Sequence, residues 1–136
     1  MQALYVSVGS SVAAEAQYRV WWDDRHAVAR HSWSNGAVCR LQDAQAVTRA
    51  TAAFGFGAVP VLVDMRRLAK IDRAARRHFT GPEGHALAIA LLVDSAVSGL
   101  IGRVMTGLLE SVPSRTFTDE AAALAWLKRF RPPTTE

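Results

Sequence analysis

The sequence predicts an α/β fold built on a mostly parallel sheet, and three observations carry that expectation. Residues 59–65 and 87–93 are nearly continuous apolar runs of strand length, the mark of strands covered on both faces. Between and after them lie stretches whose apolar residues recur three and four apart, as on one face of a helix. Ahead of them, two segments rich in aromatic and β-branched residues flank the turn signal Asp23-Asp24-Arg25, which adds one antiparallel hairpin. Strands alternating with helices in this way place helices against a parallel sheet.

Taken in order, residues 1–17 form an arm with a short strand over 4–8, where apolar side chains alternate. Strands are expected over 18–22 and 27–33, and Ser34-Asn35-Gly36 marks the next turn. A helix follows over 41–54, because Ala44, Val47, Ala50, Thr51 and Phe54 share a face. Gly55 and Gly57 can end it by taking the left-handed conformation. After the strand at 59–65 the chain crosses a loop at 66–70 and enters a short helix over 72–80, capped by Asp72. Ile71, Ala75 and Phe79 point inward there, and Arg73, Arg76 and Arg77 outward. Gly81-Pro82-Glu83-Gly84 breaks this helix. Following the strand at 87–93, Ser95 opens a long helix with an apolar stripe at Val97, Leu100, Ile101, Val104 and Leu108. A last strand over 114–118 leads to a helix begun by Thr118-Asp119-Glu120 and stopped by Pro132-Pro133, with Ala123, Trp126, Leu127 and Phe130 buried. The order is β-β-α-β-α-β-α-β-α, as one domain over 18–131 with a tail at 132–136.

Bulk properties narrow the function classes. At 136 residues, half of them hydrophobic and 21% charged, the chain can bury a core without disulfides or metal. No apolar run approaches the roughly 20 residues of a membrane helix, and no basic segment precedes the first apolar stretch as in a secretory signal. A single cysteine, Cys39, forbids an intrachain disulfide and fits a cytoplasmic protein. The net charge of +4 is almost all arginine, with Lys70 and Lys128 the only lysines. That excess permits contact with nucleic acid without arguing for it.

Three segments resemble the SpoIIAA-like, STAS-type family of bacterial regulatory domains. They are Pro60-Val-Leu-Val-Asp-Met-Arg66 with Ile71-Asp72, Ala88-Ile-Ala-Leu-Leu-Val93 leading to Ser95, and Arg115-Thr-Phe-Thr-Asp-Glu-Ala121 running into Ala125-Trp126-Leu127. The similarity spans residues 18–130 and is nearest to uncharacterised actinobacterial members. In anti-sigma-factor antagonists of this fold, a serine at the start of the helix after the central strand is phosphorylated. The resemblance places that acceptor at Ala74, which has no hydroxyl, so the usual phospho-switch is expected to be missing.

Arg66, Arg67, Lys70, Arg73, Arg76 and Arg77 set six cations in twelve residues around one strand end, flanked by Asp64 and Asp72. Together these eight residues form a candidate interaction surface for phosphate, an acidic partner or nucleic acid; the plainer reading is a solvated helix face. No aromatic interrupts the cluster before Phe79, which argues against single-strand binding. Asp64, at a strand's carboxyl end, is read as accepting loop N–H bonds or pairing with an arginine. His26, His31, His78, His85 and Glu83 show no metal-ligand spacing and are read as surface or turn residues. Cys39 is read as a buried thiol, and Gly55-Phe56-Gly57 is not a phosphate loop, since the third glycine of the dinucleotide pattern and the Walker lysine are both missing. Among Trp21, Trp22 and Trp33, core packing is favoured over an exposed interaction surface. Small residues along the long helix (Ser95, Gly99, Gly102, Thr106, Gly107) suit close helix approach or a dimer interface. The expectation is a non-catalytic, cofactor-free, cytoplasmic STAS-like domain acting by protein–protein contact, as a homodimer or with an unknown partner, without membrane insertion. The alternative is a small binder of apolar or lipid-like ligands.

Overall fold

The architecture comes from a computed structural model that describes residues 5–6, 17–80, 86–94 and 112–130. Its elements run β1 (Tyr5–Val6), β2 (Tyr18–Asp23), β3 (Val28–Trp33), β4 (Ala37–Cys39), α1 (Leu41–Ala52), β5 (Val59–Asp64), β6 (Leu68–Ile71), α2 (Arg73–Thr80), β7 (Ala86–Leu92), β8 (Ser114–Phe117) and α3 (Glu120–Leu127). The long helix expected from Ser95, with its small-residue stripe, lies outside the described residues, as do Glu83 and His85.

Six strands make one sheet in the order β1-β2-β3-β5-β7-β8. The first three are antiparallel neighbours; β3, β5, β7 and β8 pair in parallel, each beside the next. This is the α/β arrangement that the alternating pattern implies. The helices explain why the central strands are apolar on both faces. On one face, Trp33, Leu91 and Val93 pack with Ala44, Val47 and Ala50 of α1 and Ala75 of α2. On the other, Leu62, Ala88, Ala90 and Leu92 pack with Ala123 and Leu127 of α3. β5 lies between β3 and β7, so Leu62, only 1% exposed, sits at the middle of the molecule.

Local chemistry sets the helix boundaries. The Asp72 carboxylate accepts the backbone N–H of Ala75 at 2.9 Å, capping α2. At α3 the cap is Asp119, which accepts from Ala122 N–H at 2.9 Å, rather than the Thr118 hydroxyl. α1 stops at Ala52; Phe54 falls in the following turn, where Gly55 and Gly57 take φ of +83° and +72°.

Two strands escape the sequence pattern. The segment expected to be a loop between β5 and α2 contains β6, and the residues after the Asn35-Gly36 turn form β4. The two pair in parallel as a separate small sheet. Backbone bonds continue their ladder at both ends, from Gly36 N–H to the Arg67 carbonyl and from Asp72 N–H to the Cys39 carbonyl, at 2.8 and 2.9 Å. This patch ties the start of α1 to the start of α2 and encloses one end of the space between those helices and the main sheet.

Candidate ligand-binding cavity

A cavity of about 320 Å³ lies between the main sheet and helices α1 and α2. Strand alternation supplies its sheet-side wall: His31 and Trp33 of β3, Val61 and Val63 of β5, and Ile89 and Leu91 of β7 all face it. Register brings them together, since His31 stands beside Val63 and Val63 beside Leu91. The α1 residues Thr48 and Thr51 and the α2 residue Phe79 form the opposite side. At the end where β5 finishes, Cys39, Met65, Leu68 and Ile71 are all buried and seal the space. At the end where β5 begins, Ala52, Gly57 and Ala58 are exposed, so the mouth opens there.

Polar groups in this lining are few and defined. The Thr51 hydroxyl donates to the Val47 carbonyl at 2.8 Å and meets His31 Nε2 at 2.9 Å. Thr48 repeats the arrangement, donating to the Ala44 carbonyl at 3.0 Å and meeting His78 Nε2 at 2.8 Å. Burial holds His31 well below the ordinary histidine range, at about 4, because a charged ring would lose its water there. The Cys39 thiol is pushed up to about 12 by burial, reinforced by the carboxylates of Asp43 and Asp72, so it stays protonated and unreactive.

His31 corrects the sequence expectation of a surface or turn histidine. It is 8% exposed and points the same way as Ala29 and Trp33 on a period-two strand. His26 does sit in the turn after β2, its ring on Asp23 at 2.9 Å. Asp23 also takes a 2.9 Å bond from Arg30. Burial alone would raise the Asp23 carboxyl, but the bonds from His26 and Arg30 prevail and hold it below the ordinary value. Trp22 and Trp33 are core residues as expected, and half-buried Trp21 lies under the Arg30 guanidinium, 5.5 Å from the ring centre.

The cationic corner sits at the opposite end of β5 from the cavity mouth. Asp64 behaves as both of its expected roles require: it accepts the Arg66 backbone N–H at 3.1 Å and grips the Arg66 guanidinium with two bonds of 3.0 and 2.8 Å. Partial burial would raise its carboxyl, but the Arg66 bonds and the charges of Arg66 and Arg67 keep it lowered. Asp72 is used as the α2 cap. Arg67, Lys70, Arg73 and Arg77 are exposed, and Arg76 is half-buried. Ala74 is exposed in the first turn of α2, where the resemblance put the phosphoacceptor position. Among the described residues no group of three metal-binding side chains converges, and no helix is long and apolar enough to cross a membrane.

Residues 21–131 match the family described as Domain of unknown function (DUF7793). The chain belongs to this family. Among solved structures it is similar to an uncharacterised protein of the DUF3478 family, with a SpoIIAA-like fold, from Shewanella loihica PV-4. That similarity has a TM-score of 0.55 at 15% identity and covers 79% of this chain and 84% of the other. The fold is therefore SpoIIAA-like, as the sequence resemblance implied. No curated protein matches the chain. The DUF7793 segment takes in every cavity-lining residue named above and the whole cationic corner.

Proposed function

We propose that this SpoIIAA-like domain is a non-catalytic binder of a small apolar ligand, held between the sheet and helices α1 and α2. The observation that carries the reading is the cavity of about 320 Å³, with almost wholly apolar walls and an exposed rim at one end. Ligand sites are typically concave and apolar with a few placed polar groups, and volumes begin near ~300 Å³. Since a dry apolar cavity of ~150 Å³ takes one benzene, this one has room for about twelve heavy atoms. At about 0.5 kcal/mol per heavy atom, such a ligand would gain about 6 kcal/mol, a Kd of tens of micromolar. Catalysis has little support: the Thr51 hydroxyl donates to a carbonyl rather than to His31, and Cys39 is held as a thiol.

The test is titration with a neutral apolar fluorophore small enough for that space, such as 1-aminonaphthalene, with native mass spectrometry for copurified ligand. Saturable enhancement in the natural protein that is lost in a folded Val63→Phe variant, whose ring fills the space, supports the reading. Absence of saturable binding refutes it.

A second reading concerns partners. Arg67, Lys70 and Arg73 are exposed and form no ion pair among the described residues, which favours the corner as a docking surface for an acidic protein. Arg73→Glu with Arg76→Glu should leave the fold intact and abolish such an association. A crosslinking pull-down that recovers the same proteins with and without the reversal removes this reading.

A further inference from the structure

The hydrogen bonds around the cavity determine what kind of polar group it accepts. A hydroxyl has one proton, and Thr51 gives its proton to the Val47 carbonyl. The 2.9 Å contact between Thr51 Oγ1 and His31 Nε2 must then be donated by the ring. His31 therefore carries its proton on Nε2 and leaves Nδ1 as a bare lone pair. No described residue donates to Nδ1, and it is not among fully enclosed polar atoms without a partner. His31 lines the cavity, which is where a partner for Nδ1 would come from. Thr48 has likewise given its proton to the Ala44 carbonyl, and the Cys39 thiol points at the Arg40 carbonyl at 3.8 Å. The described lining holds no lysine or arginine.

Apart from the Trp33 indole N–H, every polar side chain in the described lining thus offers lone pairs or a proton already given away. Among the described lining residues an anionic headgroup would find no cationic side chain to offset the hydration it forfeits. A hydroxyl entering the same place would meet a ready acceptor. Building on the ligand-binding reading above, we infer that the cavity selects a neutral, mainly apolar molecule bearing one hydroxyl, bonded to His31 Nδ1, and rejects the matching carboxylate.

Three probes of one chain length separate the possibilities: decan-1-ol, its methyl ether and decanoate, each titrated near neutral pH by the fluorescence of Trp33 and its fellow tryptophans. The alcohol should bind about fivefold tighter than the ether, the worth of one neutral hydrogen bond, and decanoate more than tenfold weaker than the alcohol. His31→Phe should bring the alcohol to the level of the ether while leaving the ether unchanged. Should that variant not fold, the nitrogen NMR signal of His31 Nδ1 in the natural protein serves instead; it should move with the alcohol and stay with the ether. Equal binding of alcohol and ether, or decanoate as the best ligand, overturns the inference and leaves the apolar-ligand reading standing. Failure of all three to bind overturns both.

Discussion

Acidification should destabilise this fold through His31 before its paired carboxylates titrate. In the unfolded chain the ring takes a proton at its ordinary value of 6.5; in the folded protein, burial delays that to about 4. Between those values the unfolded state binds more protons, so stability falls as pH falls. His31 costs nothing above 6.5, and its full penalty is reached near 4. Each pH unit in the window is worth about 1.4 kcal/mol, giving about 3 kcal/mol in all, a large share of what a domain this size possesses. Asp23 and Asp64 are held below the ordinary value of 3.8, so the stability they add is lost only on further acidification. Urea unfolding followed by tryptophan fluorescence at half-unit pH steps reads the slope directly. His31→Phe keeps a ring of similar size and leaves Thr51 bonded to Val47, so it should flatten the curve between 6.5 and 4. A natural protein with no slope there, or a variant that keeps the slope, would refute the assignment of His31 as a buried neutral ring.

Other substitutions test the scaffold. Leu62→Ala removes the side chain at the centre of the sheet and should cost about 3 kcal/mol in urea unfolding, since the surrounding strands can collapse little. Asp72→Ala deletes the α2 cap and should cost about 1 kcal/mol, with Asp72→Asn recovering most of it. Asp23→Ala strips partners from Arg30 and from the His26 ring and backbone, and should cost about 2 kcal/mol by the same assay. If Asp23→Ala is neutral, that turn contributes no net stability.

The elements legible in the sequence are those whose own residues carry a strong local signal. β5 shows as an unbroken apolar run, and α2 and α3 begin at aspartates that do cap them. β4 and β6 are three and four residues long, too short for a period to show. Their existence depends on pairing with each other across thirty residues of chain, through a register that slips between Ala37 and Val38. The cavity was harder still, because it belongs to no segment; it is what side chains from β3, β5, β7, α1 and α2 leave unfilled. One clue to it was present. His31 alternates with Ala29 and Trp33, so a strand with those two inward must carry the histidine inward too. The cationic corner was visible as a cluster, but its internal pairings were not: only folded geometry shows that Arg66 is held by Asp64 while Arg67 is left exposed.

Helix α2 presents Ala75 and Phe79 to the interior and Arg73 and Arg77 to solvent. Eight residues of hydrogen-bonded backbone move as one short lever, with no joint between inner and outer faces. An occupant that moved Phe79 by shifting the helix, rather than by turning its side chain, would reposition the arginines above it. What enters the hollow would be readable from outside as a rearranged pattern of charge, with no kinase required to write it.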